Sequence, residues 1–249
     1  MTHPILQTTV PDEMGRARAL PGVAPCAPRD WLRIDDAYAA QMARRLDLIN
    51  TQRDAVVWMD NAALPAAIEL LDATLDLLPD LGFVVDGDHV TCPDGRKVAM
   101  SRTDPLGSLG AVVQEDLCLL EKRGDEHVLI GAVLCFPASW LLAEKVGRPL
   151  SAIHDPVDEY DAGLAARVQR LFDGVQIGRP LWRMNQLWYV DPELHQPRSQ
   201  TTPRAILDGP NGARYYRSER QCILRLPVTQ AVVFTIHTFV LNAADVDLG

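Results

Sequence analysis

Along the chain, apolar positions first recur at helical spacing and later alternate. Ala39, Met42, Leu46 and Ile49 predict a helix over Asp35 to Leu48, with Asp35 as its cap. Ile68, Leu71, Leu75 and Leu78 lie on one face of a second helix, from about Pro65 to Leu78, with Pro65 in its first turn. The period then changes. Phe83-Val84-Val85 and His89-Val90-Thr91 flank Asp86-Gly87-Asp88, which predicts a hairpin. Leu109 to Lys122 is expected to be helical, with Glu115-Asp116 on a solvated helix edge. His127 to Phe136 is expected to be a buried strand ended by Pro137. A helix opens at Asp155-Pro156 and runs to about Phe172, and Gly178 to Val190 is strand-like. Ala213 to Leu226 and Ala231 to Leu241 are the clearest strands, joined by Pro227-Val228-Thr229-Gln230.

Helices early and hairpin-linked strands late predict an α+β fold, not an alternating βαβ one. Residues 1–30 hold Pro4, Pro11, Pro21, Pro25 and Pro28 and are expected to form an extended arm before a single domain over residues 31–245.

Composition narrows the function. The 249 residues are 47% hydrophobic with a net charge of −9, which disfavours a phosphate backbone as partner. The longest apolar stretch, Val128 to Leu142, is too short for a membrane span and holds Pro137. With no apolar leader between Met1 and Gly15, the expected address is the cytoplasm. The five cysteines are scattered and read as free thiols filling the core. There is no Gly-rich dinucleotide fingerprint, P-loop, serine elbow or zinc helix motif. Any redox chemistry therefore draws its electrons from another protein.

Three segments carry the signal. One runs from Phe136-Pro137-Ala138-Ser139-Trp140 to Ile153-His154-Asp155-Pro156-Val157. The second is Arg183-Met184-Asn185. The third is Arg217-Ser218-Glu219-Arg220-Gln221, continuing through Leu224-Arg225-Leu226-Pro227 to Phe234-Thr235-Ile236-His237-Thr238-Phe239. With these segments the chain, from Trp31 to Val240, resembles the α subunit of haem-dependent oxidative N-demethylase, also called dimethylamine monooxygenase. The resemblance implies a PAS-like antiparallel sheet with flanking helices and an N-terminal helical extension. It implies haem b, oxygen activation at iron, and conversion of a dimethylamine-like secondary amine to a primary amine and formaldehyde. It also implies partner subunits that carry FMN and an iron–sulfur cluster and pass on electrons from NADPH. Gln186-Leu187 before Trp188, Asp158 after Val157, and Phe239 after Thr238 depart from the family pattern, so the amine is not fixed by it.

A haem needs an axial ligand, an apolar slot and cations for its propionates. His3, His89, His127 and His195 lie in arms, turns or loops, and His89 and His127 are expected to be exposed. His154, before a helix start, is the expected iron ligand. His237 ranks second, as a pocket residue or a core histidine, with Cys135 as a thiolate alternative. Arg183, Arg220 and Arg225 on strands are candidate propionate anchors, beside Asn185. Glu219 is the candidate partner of a cationic amine, with Tyr215, Tyr216 or Trp188 as an aromatic wall. A haem-based gas or redox sensor on the same scaffold is the alternative reading.

Overall fold

The computed structural model describes residues 4–11, 22–154, 162–203, 207 and 209–246. Its early elements are β1 (Ala24–Pro25), α1 (Tyr38–Thr51), α2 (Arg53–Val56), β2 (Val57–Met59) and α3 (Leu64–Leu77). A small sheet follows, β3 (Val84–Asp86), β4 (His89–Thr91) and β5 (Lys97–Ala99), then α4 (Pro105–Gly110). The central strands β6 (Asp116–Arg123) and β7 (Glu126–Val133) lead to α5 (Leu150–His154) and α6 (Ala162–Gly174). The chain returns through β8 (Leu181–Tyr189), β9 (Tyr215–Arg225) and β10 (Val232–Asn242).

The expected α+β class is what is found. The large sheet is antiparallel, in the order β1-β8-β9-β10-β6-β7-β2. Hairpins link β6 to β7 and β9 to β10, the stretch 190–214 links β8 to β9, and α5 and α6 lie between β7 and β8. The last strand, β10, therefore lies beside the first, β6, at the sheet centre. No described helix is long and apolar enough to cross a membrane.

Side-chain alternation gives the sheet two different faces. On one, Val233 and Cys222 join the main core with Met42, Leu48, Leu70 and Leu71 from α1 and α3. On the other, Ile223, Val232 and Ile236 pack with Leu150 from α5 and Phe172 from α6. Arg225 fixes α6 in place. Its Nε and Nη2 donate to the carbonyls of Val175 and Phe172 at 2.8 and 2.7 Å, filling acceptors that the helix end leaves open.

The helix expected over Leu109 to Lys122 is absent. The chain leaves α4 at Gly110 and enters β6 at Asp116. Leu117 to Leu120 are buried on both faces of the sheet, so the run shows no period of two. Glu115 and Asp116 are each 1% exposed, not on a solvated edge. His127, expected to be exposed, is buried against Phe172, with its Nδ1 2.9 Å from Gln169. Asp35 receives the Ala37 N–H, but it does not cap α1, whose N-cap is Ala37. The predicted start of a helix at Asp155-Pro156 lies outside the described residues.

The arm docks on the sheet. β10 pairs with β6 only from Val232 to Ile236, so its remaining length has a free edge. Gln7 covers that edge. Its backbone N–H donates to the Val240 carbonyl at 2.9 Å, and its Oε1 accepts the Val240 N–H at 2.8 Å. The Nε2 groups of Gln7 and Gln41 both donate to the Thr238 carbonyl at 3.0 Å. These contacts satisfy groups that an open strand leaves bare.

Candidate functional site

Strand register assembles a polar cluster on the face that α5 and α6 partly cover. Asn185, Glu219 and Thr238 stand opposite one another across β8, β9 and β10. Arg183, Gln221 and Ile236 form the next row. Within these rows Asn185 Nδ2 donates to Glu219 Oε2 at 2.8 Å, and Asn185 Oδ1 accepts the Glu219 N–H at 2.8 Å. Gln221 Nε2 donates to the same Oε2 at 3.1 Å, while its Oε1 accepts from Arg183 Nη1 at 2.6 Å. Among the described residues Oε1 of Glu219 meets only Arg217 Nη2, at 3.4 Å. Both Glu219 and Arg217 are buried.

The cluster has spare donors. Arg183 Nε, Arg217 Nε and Thr238 Oγ1 are buried without a hydrogen-bond partner among the described residues. Burial lowers the Arg183 pKa from its ordinary value, against the pull of Glu219. Arg183 forms no ion pair within 4 Å among the described residues; its Nη1 donates to the uncharged amide of Gln221. Two guanidinium groups thus face one carboxylate. An anion placed here would complete the pairing, because a buried cation without a counter-charge is costly.

The sequence-predicted residues divide sharply. Arg183, Asn185 and Glu219 are together. His154 ends α5, and Leu150 and Ile153 of that helix pack with Ile223 and Ile236 on this same side of the sheet. The His154 side chain and residues 155–161 lie outside the described part. Arg220, one residue from Glu219, points to the opposite face, where it pairs with Asp30 at 2.8 Å and lies 5.5 Å from the Trp182 ring centroid. Arg225 is committed to the α6 carbonyls. Trp188 and Tyr216 lie against each other, with centroids 5.1 Å apart, in an apolar cluster with Met184 and Phe239, away from Glu219. Cys135 is a buried thiol whose pKa burial pushes up to about 12, opposite to what a thiolate ligand needs. The carbonyl of Cys135 holds His195 Nδ1 at 2.8 Å.

His237 is also on the opposite face, and both of its ring nitrogens are engaged. Nδ1 lies 2.9 Å from Glu115 Oε1, and Nε2 lies 3.0 Å from Asp35 Oδ2. Burial would lower its pKa, but the charge of Glu115 and the bond to Asp35 outweigh that and raise it to about 9. For Asp35, burial works upward, yet the His237 bond and charge bring it down to about 2. His237 is thus an imidazolium clamped between two carboxylates, with neither nitrogen left for a metal.

Arg217 and Gln221 were not singled out from the sequence, although they stand beside Glu219. The alternation of β9 was the available signal. It puts residues 217, 219 and 221 on one face and 218, 220 and 222 on the other.

The structure thus defines an α+β chain whose central sheet holds a buried carboxylate near an arginine that has no ion pair among the described residues. A family model described as haem-dependent oxidative N-demethylase, alpha subunit-like, matches residues 22–247, and the chain belongs to that family. The family's description carries haem dependence and a place within a multi-subunit enzyme.

Proposed function

We propose that this chain is the haem-bearing subunit of an oxidative N-demethylase that converts a small, dimethylamine-like secondary amine to the primary amine and formaldehyde. The observation behind this reading is the hydrogen-bonded chain of Arg183, Gln221, Glu219 and Asn185 across β8 and β9 in a member of this family. Placement of the last of the five long strands beside the first supports the PAS-like arrangement.

The residues present suit a haem. Arg183, with its unsatisfied Nε, takes a propionate carboxylate. Arg217 Nε is the second spare donor. His154 is the proposed axial ligand. Bound haem supplies oxygen activation, which no side chain can provide.

Glu219 receives the amine. A dialkylammonium ion needs a carboxylate once it leaves water. Asn185 and Gln221 hold Oε2 and fix the plane of the carboxylate, so Oε1 is the oxygen turned to the substrate. A proton shed by the ammonium passes to this oxygen. Electrons come from partner subunits bearing FMN and an iron–sulfur cluster, supplied by NADPH.

The test is a hemin titration followed by turnover. The expected result is a Soret band at one haem per chain, lost in His154→Ala. Dimethylamine, oxygen and a reductase system are then expected to yield formaldehyde. A protein that stays colourless with hemin would end this reading. Haem binding without formaldehyde from any secondary amine would move the chain to the gas- or redox-sensor class.

A further inference from the structure

On the sheet face opposite Glu219, two thiols share one cation. Arg220 Nη1 donates to Cys222 Sγ at 3.1 Å, and Nη2 donates to Cys26 Sγ at 3.4 Å. Each thiol also acts on the ionisation of the other. Asp30 Oδ2 accepts from the same Nη2 at 2.8 Å and lies 4.0 Å from Cys26 Sγ, and the Asp30 carbonyl accepts from Cys26 Sγ at 3.2 Å. Cys26 and Cys222 are 194 and 2 positions from Arg220, so the fold, not local sequence, makes the pair.

The other three cysteines are differently placed. Burial pushes Cys118 and Cys135 up, and Cys92 is raised as well. Among the described residues no arginine donates a hydrogen bond to the sulfur of any of the three. The Cys222 hydrogen bond, with help from Arg220, brings Cys26 down to about 7 against the effect of burial, whereas Cys222 is pushed up. The arrangement is therefore asymmetric: Cys26 is the thiol that gives up its proton more easily, and Cys222 the one that holds it. Cys26 is also the more accessible of the two, 8% exposed against 0%. Reactive cysteines occupy this kind of electropositive setting, and a second thiol nearby is the usual resolving group.

We propose that Cys26 and Cys222 form a peroxide-sensitive dithiol in which Cys26 is oxidised first and Cys222 resolves it. The Cys26 thiolate attacks one oxygen of hydrogen peroxide. The O–O bond breaks, a sulfenic acid forms at Cys26, and the departing hydroxide takes a proton to become water. The Cys222 sulfur then attacks the Cys26 sulfur. The S–O bond breaks, a disulfide forms, and the sulfenic oxygen leaves as a second water with the Cys222 proton. In total, two thiols and one hydrogen peroxide give one disulfide and two waters, and two electrons pass from sulfur to peroxide.

The surrounding chain allows this. A disulfide brings its Cα atoms to about 4.4–6.8 Å. Cys26 follows β1, an edge strand of two residues, and leads into a turn that ends at Asp30. Closing the bond therefore moves a short edge segment, while Cys222 stays in the central part of β9. The product would tie residues 22–30 covalently to the core of the sheet.

The test uses the full chain and hydrogen peroxide alone. After brief exposure, remaining thiols are alkylated under denaturing conditions and mapped by peptide mass spectrometry. Cys26 is expected to be lost first, with a linked Cys26–Cys222 peptide two hydrogens lighter than its parts. In Cys222→Ser, a dimedone-trapped sulfenic acid is expected to accumulate at Cys26. Asp30→Asn, at a partly exposed site, leaves Arg220 for the thiols alone and is expected to hasten Cys26 oxidation several-fold. Arg220→Lys is expected to slow it about tenfold, the ratio that one unit of thiol pKa gives. If Cys26 reacts no faster than Cys92, the proposal is overturned. A sulfenic acid that persists at Cys26 in the unaltered chain would overturn the role of Cys222.

Discussion

Glu115 and His237, 122 positions apart, meet in the protein interior at 2.9 Å, each only 1% exposed. Asp35 completes the clamp from the stretch before α1. Gln114 Nε2 bonds Asp35 Oδ1 at 2.8 Å and Gln41 Oε1 at 3.1 Å, so the strand, the helix and the β6 entry share one polar knot. Removing the imidazolium leaves a buried and a half-buried carboxylate without their cation. His237→Ala is therefore expected to cost about 3–5 kcal/mol in urea unfolding. A loss below about 1 kcal/mol would mean that water replaces the ring freely.

The same clamp sets a pH dependence. The folded pKa of His237, about 9, lies above the ordinary histidine value. Its stabilisation is fully present below about pH 6.5 and is lost as the pH rises through 9. Asp35 is depressed to about 2, so its contribution holds above about pH 4 and fades as the pH falls toward 2. Urea midpoints are thus expected to decline from pH 7 to 9. His237→Gln should flatten that alkaline slope while acid unfolding persists, and an unchanged slope would place the titration elsewhere.

Arg45 and Asp116 form a second interior pair at 2.6 Å, with side-chain exposures of 0% and 1%. Asp116 also accepts the N–H groups of Cys135 and Phe136, at 2.7 and 2.8 Å. Asp116→Ala strands one guanidinium and two amides at once. The expected loss is about 3–5 kcal/mol, read by thermal or urea unfolding. Asp116→Asn is expected to recover part of it through its remaining acceptor oxygen.

Gly110 closes α4 where no side chain fits. A Cβ there would meet Val133 Cγ2 at 2.6 Å and Ile49 Cδ1 at 2.9 Å. Gly110→Ala is expected to destabilise by about 1–3 kcal/mol through overpacking. Pairing it with Val133→Ala should restore part of that loss, which a double-mutant cycle can measure.

In the proposed haem site, Arg183 and Glu219 are expected to separate in their effects. Arg183→Met should weaken hemin binding about tenfold or more, as a charge-assisted contact is worth roughly 1.5–3 kcal/mol. Glu219→Gln should leave the Soret band in place but remove the spectral response to dimethylamine. Equal loss of hemin in both variants would argue against distinct roles.

Much of this architecture could be read from the sequence, for reasons that particular residues make plain. Pro65 and the leucines behind it announce α3, and the β-branched and aromatic residues of β9 and β10 announce the final hairpin. The β6 strand was hidden because Leu117 to Leu120 are buried on both sides and carry no alternation. Glu115 and Asp116 resembled a surface pair because their partners, His237 and Arg45, lie 122 and 71 positions away. Glu219 and Arg220 were grouped as neighbours, yet a strand sends consecutive side chains to opposite faces. The site could therefore be located by segment but not resolved into its two sides.

The docking of Gln7 on β10 bears on where this protein can be shortened. The family match begins at residue 22, and a chain cut there would lose Gln7. The Val240 amide and the backbone carbonyls near it would then offer a ready template to a second molecule. Shortened protein is expected to self-associate more than the full chain as its concentration rises, which sedimentation would detect. Protection against unwanted pairing thus resides in a segment that the family's own boundary leaves out.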